Sequence, residues 1–146
     1  MPVNNNSKSF INVNKGSDFP IQNIPFGIFK SKNNSKPRAG TAIGDLILDL
    51  SVLQESSLFS DQIIKEKSVF SKEHLNDFMA LGNTICNQTR KDIQELLEEN
   101  NPVLRDNENL RLKCLIPVSE TEMCMPVDIG DYTDFILQNS MLQMLE

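Results

Sequence analysis

Apolar and polar positions change rhythm along this chain. Residues 39–43, then Gly44-Asp45, then residues 46–50 form two apolar runs around a turn pair, which predicts a β-hairpin. Glycine at the first turn position can take the positive φ of a two-residue type II′ turn. Leu46, Leu48 and Leu50 then share one face of the second strand, with Asp49 on the other. Residues 26–29 and 10–13 are candidate strands. Between them, Ser17-Asp18-Phe19-Pro20 and Ile24-Pro25-Phe26-Gly27 exclude a helix, because each proline lacks an amide donor and restrains its predecessor. The polar stretch 30–38 predicts an exposed hairpin loop.

The period then changes. Leu75, Phe78 and Met79 recur at helical spacing, with Ser71 as the candidate N-cap. Ile85, Thr89, Ile93, Leu96 and Leu97 continue an apolar stripe, and Arg90, Lys91, Gln94, Glu95 and Glu98 mark the opposite face. Gly82 either joins two helices or permits a close contact. Asn100-Asn101-Pro102 stops the helix. Residues 104–112 predict a short charged helix, 112–118 an apolar run with β character, and 123–126 a short extended piece. Short strands with two or three helices imply an α+β domain, with a small curved antiparallel sheet or open barrel.

Composition narrows the function classes. The 146 residues suit one domain, or one domain plus a fragment. Apolar residues at 39% and charged residues at 23% support a modest core. The net charge of -6, without a Lys/Arg block, excludes the clustered cations that nucleic-acid binding draws on. The polar, Asn-rich start lacks the apolar run of a signal peptide. No run approaches the roughly 20 apolar residues needed to span a bilayer. The expectation is a cytoplasmic protein. Cys86, Cys114 and Cys124 lack paired spacing and read as buried or half-buried free thiols. His74, the single histidine, sits beside Leu75 in a helical pattern and suits packing or surface exposure better than catalysis.

The segment Asp128-Ile129-Gly130-Asp131-Tyr132-Thr133-Asp134-Phe135 sets three carboxylates at intervals of three residues. Carboxylate oxygens suit hard cations such as Ca²⁺ and Mg²⁺. The spacing is not that of an EF-hand loop, and on its own fits acidic residues capping a turn. Three further stretches are distinctive: Ser17-Asp18-Phe19-Pro20-Ile21-Gln22-Asn23-Ile24-Pro25-Phe26-Gly27, Ala42-Ile43-Gly44-Asp45-Leu46-Ile47-Leu48-Asp49-Leu50-Ser51, and Leu75-Asn76-Asp77-Phe78-Met79-Ala80-Leu81-Gly82. Together with Ile129-Gly130-Asp131-Tyr132-Thr133-Asp134-Phe135, in this order, they resemble the fumarylacetoacetase family from about Phe10 to Phe135.

The resemblance implies a hydrolase that cleaves a carbon–carbon bond of 4-fumarylacetoacetate, giving fumarate and acetoacetate in tyrosine and phenylalanine breakdown. It implies a small SH3-like antiparallel barrel over residues 10–126, following residues 1–9, whose polar composition predicts a disordered start. The catalytic domain would begin at 127–135. It also implies Ca²⁺ and Mg²⁺ in the intact enzyme, a water-activating histidine, and a homodimer made through a larger carboxy-terminal domain. By position, Asp134 would be one metal ligand and Asp131 structural. Catalysis would join Lewis-acid to general-base chemistry.

Beyond Phe135 the resemblance stops. Ile136 stands where the family has a substrate-contacting Tyr, and Met141 where it has the catalytic His; neither can take over that chemistry. One permitted codon choice for residues 136–146, with a single T restored before it, reads Tyr-Ser-Ser-Lys-Gln-His-Ala-Thr-Asn-Val-Gly, the family's catalytic segment. This points to a one-nucleotide loss near the Phe135 codon and a non-family tail over 136–146. The expectation is that residues 1–146 contain no catalytic or substrate-binding residue, bind no cation tightly, and are inactive alone. The alternative is a non-catalytic protein-interaction module, using Ile136, Leu137, Met141, Leu142 and Leu145 as one apolar face.

Overall fold

A computed structural model describes residues 8–11, 21 and 23–126. Five strands, β1 (Phe26–Ser31), β2 (Asn34–Ile43), β3 (Leu46–Asp49), β4 (Leu115–Pro117) and β5 (Thr121–Cys124), form one antiparallel sheet in the order β4-β3-β2-β1-β5. Six α-helices accompany it among the described residues: α1 (Leu50–Glu55), α2 (Gln62–Glu66), α3 (Asn76–Met79), α4 (Asn83–Leu97), α5 (Pro102–Arg105) and α6 (Glu108–Cys114). The α+β class expected from the sequence is present. The helices outnumber the expected two or three because, α4 apart, none exceeds seven residues. Apolar periodicity cannot reveal one or two turns; side-chain caps define several of them instead. Asp61 accepts from Ile63 N–H at 2.8 Å, Asn101 from Val103 N–H at 3.0 Å, and Asn107 from Leu110 N–H at 3.1 Å. Pro102 opens α5 at a first-turn position, where its missing donor is harmless, while α4 already ends at Leu97.

The predicted hairpin is present in register, with Ile43 opposite Leu46 and Gly40 opposite Asp49. Gly44 has φ 56, while Asp45 does not share the positive φ, as a type II′ turn requires. Strand β3 stops at Asp49, so Leu50 belongs to α1 rather than to the strand. The cause is the Asp49 carboxylate, which accepts from Ser51 N–H at 3.0 Å and turns the chain into a helix. The stretch 30–38 is mostly strand: only Lys32 and Asn33 turn, and Asn34 already begins β2.

The sheet is strongly coiled. A straight ten-residue strand such as β2 would run about 33 Å between its ends. Yet the turns at both ends of β2 bond to one 3₁₀ turn, Val118–Glu120: Val118 N–H donates to Asp45 C=O at 2.9 Å, and Lys32 N–H donates to Glu120 C=O at 3.0 Å. From residue 118 to 120 the chain reaches only about 7 Å. Strand β2 must therefore bend around this connection, which carries the chain from one sheet edge, β4, to the other, β5. The hydrogen-bonded ladder does not close, and β4 and β5 remain edges.

One sheet face carries the core. Phe26, Ile28, Ala39, Ile43 and Leu48 pack with Leu53, Phe59, Phe70, Phe78, Ile93 and Leu97 from the helical side. Ring centroids of Phe26 and Phe78, and of Phe70 and Phe78, lie 5.0 Å apart. The stripe predicted on α4 faces this core through Thr89, Ile93, Leu96 and Leu97. The opposite face is less exposed than the sequence implies. Gln94 is buried, and Arg90 lies over the Phe26 ring at 5.0 Å with its Nε donating to Ile24 C=O at 3.3 Å. Ser71 does not cap the helix; it closes a 3₁₀ turn, Val69–Ser71, and α3 begins at Asn76. Gly82 joins α3 to α4: its φ is 98, and a Cβ there would meet no atom within 4 Å. Conformation, not close approach, explains that glycine. Phe10 and Ile11 pack on the core, and Ser9 pairs with Glu98 in a single antiparallel bridge. Residues 12–13 of the expected strand and the segment 17–20 lie outside the described residues.

Candidate functional site

The face of the sheet turned away from the helices holds two neighbouring environments. One is polar and buried. The register sets Arg38 beside Phe29 and diagonally across from Asp49. Arg38 Nε donates to Asp49 Oδ2 at 2.7 Å, and the two side chains are 7% and 4% exposed. The other guanidinium nitrogens donate to the carbonyls of Asn34 and Lys36 and to Ser31 Oγ at 3.0–3.2 Å, and the plane lies over the Phe29 ring at 4.4 Å. Asp49 Oδ1 accepts from both Ser51 N–H, at 3.0 Å, and Ser51 Oγ–H, at 2.6 Å. A buried ion pair is tolerable only when its remaining donors and acceptors are filled. Here the partners come from the hairpins and from Ser51 of α1, so the cluster joins β1, β2, β3 and α1, and each polar atom of the pair is already hydrogen-bonded. Sequence reading placed Arg38 in an exposed loop and Asp49 on the strand face opposite the leucines; both are buried. The hairpin register contained the missing signal, because it brings Arg38 within diagonal reach of Asp49.

The second environment is an apolar groove of about 300 Å³ lined by Phe29, Gly40, Ala42, Ile47, Val118 and Met123, among others. Gly40 creates its floor: a Cβ there would sit 2.7 Å from the Phe29 ring and 2.9 Å from Ile47. No titratable carboxylate, amine or imidazole lines it.

The sequence-predicted chemistry lies elsewhere. Asp128, Asp131 and Asp134, with the tail 136–146, fall outside the described residues. Among the described residues no group of three or more His, Cys, Asp or Glu side chains could hold a metal ion. His74 is half-buried in irregular chain just before α3, not within a helix. Leu75 N–H donates to Pro126 C=O at 2.7 Å, which ties the end of the described chain to the start of α3. The cysteines are free thiols, Cys114 buried and Cys86 and Cys124 half-buried. Burial pushes the Cys114 thiol up to about 12, helped by the negative charge of Asp49, and burial raises Cys86 against the opposing charge of Arg90. Neither thiol is poised as a nucleophile. Among the described residues, no helix is long and apolar enough to cross a membrane.

Fold and site together define a small α+β domain on a coiled antiparallel sheet, with a structural ion pair and an apolar groove in place of a catalytic cluster among the described residues. The sequence model described as Fumarylacetoacetase N-terminal matches residues 22–126, and the chain belongs to that family. It is 48% identical to the fumarylacetoacetase of Arabidopsis thaliana over 88% of this chain and 30% of that protein. The fumarylacetoacetase of Dictyostelium discoideum is also 48% identical, over the same shares. The human fumarylacetoacetase is 43% identical over 87% of this chain and 30% of its own length. The chain thus spans about 30% of the length of the curated relatives it matches.

Proposed function

We propose that this chain supplies the amino-terminal domain of a fumarylacetoacetase, the cytoplasmic hydrolase that cleaves 4-fumarylacetoacetate to fumarate and acetoacetate in tyrosine and phenylalanine breakdown. The observation that carries this is the family match over residues 22–126, with relatives at 43–48% identity. In this reading the coiled sheet is an open SH3-like barrel, and the domain is a scaffold rather than a catalyst. Asp134 supplies one oxygen to a divalent ion, Ca²⁺ or Mg²⁺, in the whole enzyme, and the homodimer forms through the remaining part. The described residues supply no donor set for such an ion, so no step of hydrolysis is assigned to them.

Residues 1–146 alone are therefore inactive. Calcium takes roughly six to eight oxygens, and one carboxylate binds it weakly. Two assays test the reading. Purified 1–146 should hydrolyse no fumarylacetoacetate. Residues 1–126 of this chain, exchanged for the corresponding part of the Arabidopsis relative, should leave an active enzyme. Turnover by 1–146, or a folded but dead exchange protein, contradicts the proposal. The groove favours a second reading, a non-catalytic interaction module. A saturable partner of 1–146 that is lost when residues 136–146 are removed would support it.

A further inference from the structure

Antiparallel sheets that face water usually present polar side chains on the open side. Here the helices cover one face, and the groove on the other has no charged or amide side chain among its ten lining residues. Its rim is exposed and apolar: Val118 is 43% exposed, Met123 56% and neighbouring Met125 56%. Two of the six large hydrophobic residues exposed among the described ones, Val118 and Met123, line this one groove. Such a cluster marks a contact surface rather than a solvated one. Phe29 and Ile47 fill the floor and are already buried, so the surface is preformed.

Position along the chain identifies the occupant. Met123 and Cys124 line the groove, Met125 flanks it, and Pro126 ends both the described chain and the family match. The relatives are mostly made of something else, since the matched part is 30% of their length. The family's description places this domain at the amino-terminal end, so the rest of such an enzyme departs from the groove's own rim. A second copy of this chain is a poorer occupant, because a net charge of -6 on each makes the copies repel. We propose that this groove is the seat on which the catalytic remainder of a full-length fumarylacetoacetase packs, with Val118 and Met123 as its anchors. This rests on the functional reading above. The partner surface is apolar and uncharged, since a charge set against the groove would lose its water without gaining a partner.

Hydroxyl-radical footprinting tests this by comparing 1–146 with the Arabidopsis relative carrying residues 1–126 of this chain. Val118 and Met123 should label about fivefold less in the exchange protein, because an interface core excludes water. Leu112, 74% exposed and outside the groove, should label equally in both. Met123→Asp in the exchange protein should restore labelling at Val118 while leaving Leu112 unchanged. Equal labelling of Met123 and Val118 in both proteins overturns the proposal. So does protection in 1–146 alone, which assigns the groove to this chain's own remaining residues if it persists on dilution and to a second copy if it fades. An exchange protein with the groove protected but no turnover would sink the functional reading and leave the docking surface standing.

Discussion

The Nε of Arg38 lies 2.7 Å from Oδ2 of Asp49, and this pair links the two hairpins to the first helix. Removing one partner of a buried pair leaves an uncompensated charge, at a cost of about 3–5 kcal/mol. Asp49→Ala, which also removes the cap of α1, should fall at or beyond that range in urea unfolding. Asp49→Asn retains a capping side chain and should lose less. The double variant Arg38→Met with Asp49→Asn should be more stable than either single variant, because no charge is stranded. Additive losses would show that the two residues act separately.

Two glycines should fail for different reasons. Gly40→Ala forces a methyl against the Phe29 ring and Ile47, and overpacking of this kind costs about 1–3 kcal/mol. Phe29→Leu in the same molecule should recover part of the loss by vacating space. Gly82→Ala meets no atom, but its φ of 98 with ψ of 167 is a region reserved for glycine, at a cost of about 1–3 kcal/mol. No packing change should rescue it. Thermal unfolding of the two single variants and both Phe29→Leu combinations separates the cases.

Cys114 should stay silent toward an alkylating reagent near pH 8 until the protein unfolds, whereas Cys86 and Cys124, half-buried, should react slowly in the folded state. The same shift makes stability depend on alkaline pH. The thiol ordinarily titrates at 9.0 and is raised to about 12 in the fold. Between those values the unfolded chain gives up its proton and the folded chain keeps it. Stability is therefore complete below about pH 9 and declines as pH rises toward about 12. Cys114→Ala should be less stable at neutral pH but flatter across that window. An unchanged slope in the variant would count against Cys114 as the source.

The strap from β4 to β5 should be visible in amide exchange. Val118 N–H and Lys32 N–H belong to turns, where exchange is usually fast, yet both are bonded across the molecule, at 2.9 and 3.0 Å. They should exchange with the sheet rather than with Asn33. Val118→Pro deletes one of these donors, and faster exchange at Lys32 in that variant would show that the coil loosens as a unit. Protection at Lys32 that does not change would separate the two ties.

How much could be read in advance follows the range of the forces. The hairpin around Gly44-Asp45 was legible because its turn chemistry and alternation are local. The apolar stripe of α4 was legible because 15 residues hold several helical periods. The polar stretch before Ala39 misled, since strand residues 34–36 are exposed and polar and Arg38 is buried only by what folds over it. The predicted site residue, Asp134, lies outside the described residues, so its assignment rests on family resemblance alone.

By itself, then, the chain's sequence determined the α+β class, the central hairpin, the core face of α4 and the family, all of which depend on neighbours a few residues apart or on ordered motifs. Tertiary structure alone decided that β2 bends until both its turns meet Val118–Glu120, that Arg38 and Asp49 leave water together, and that an apolar groove lies beside them on the same sheet face. Each of these sets residues far apart in sequence against one another. Their free energy comes from desolvation and packing across the sheet, which no local pattern encodes.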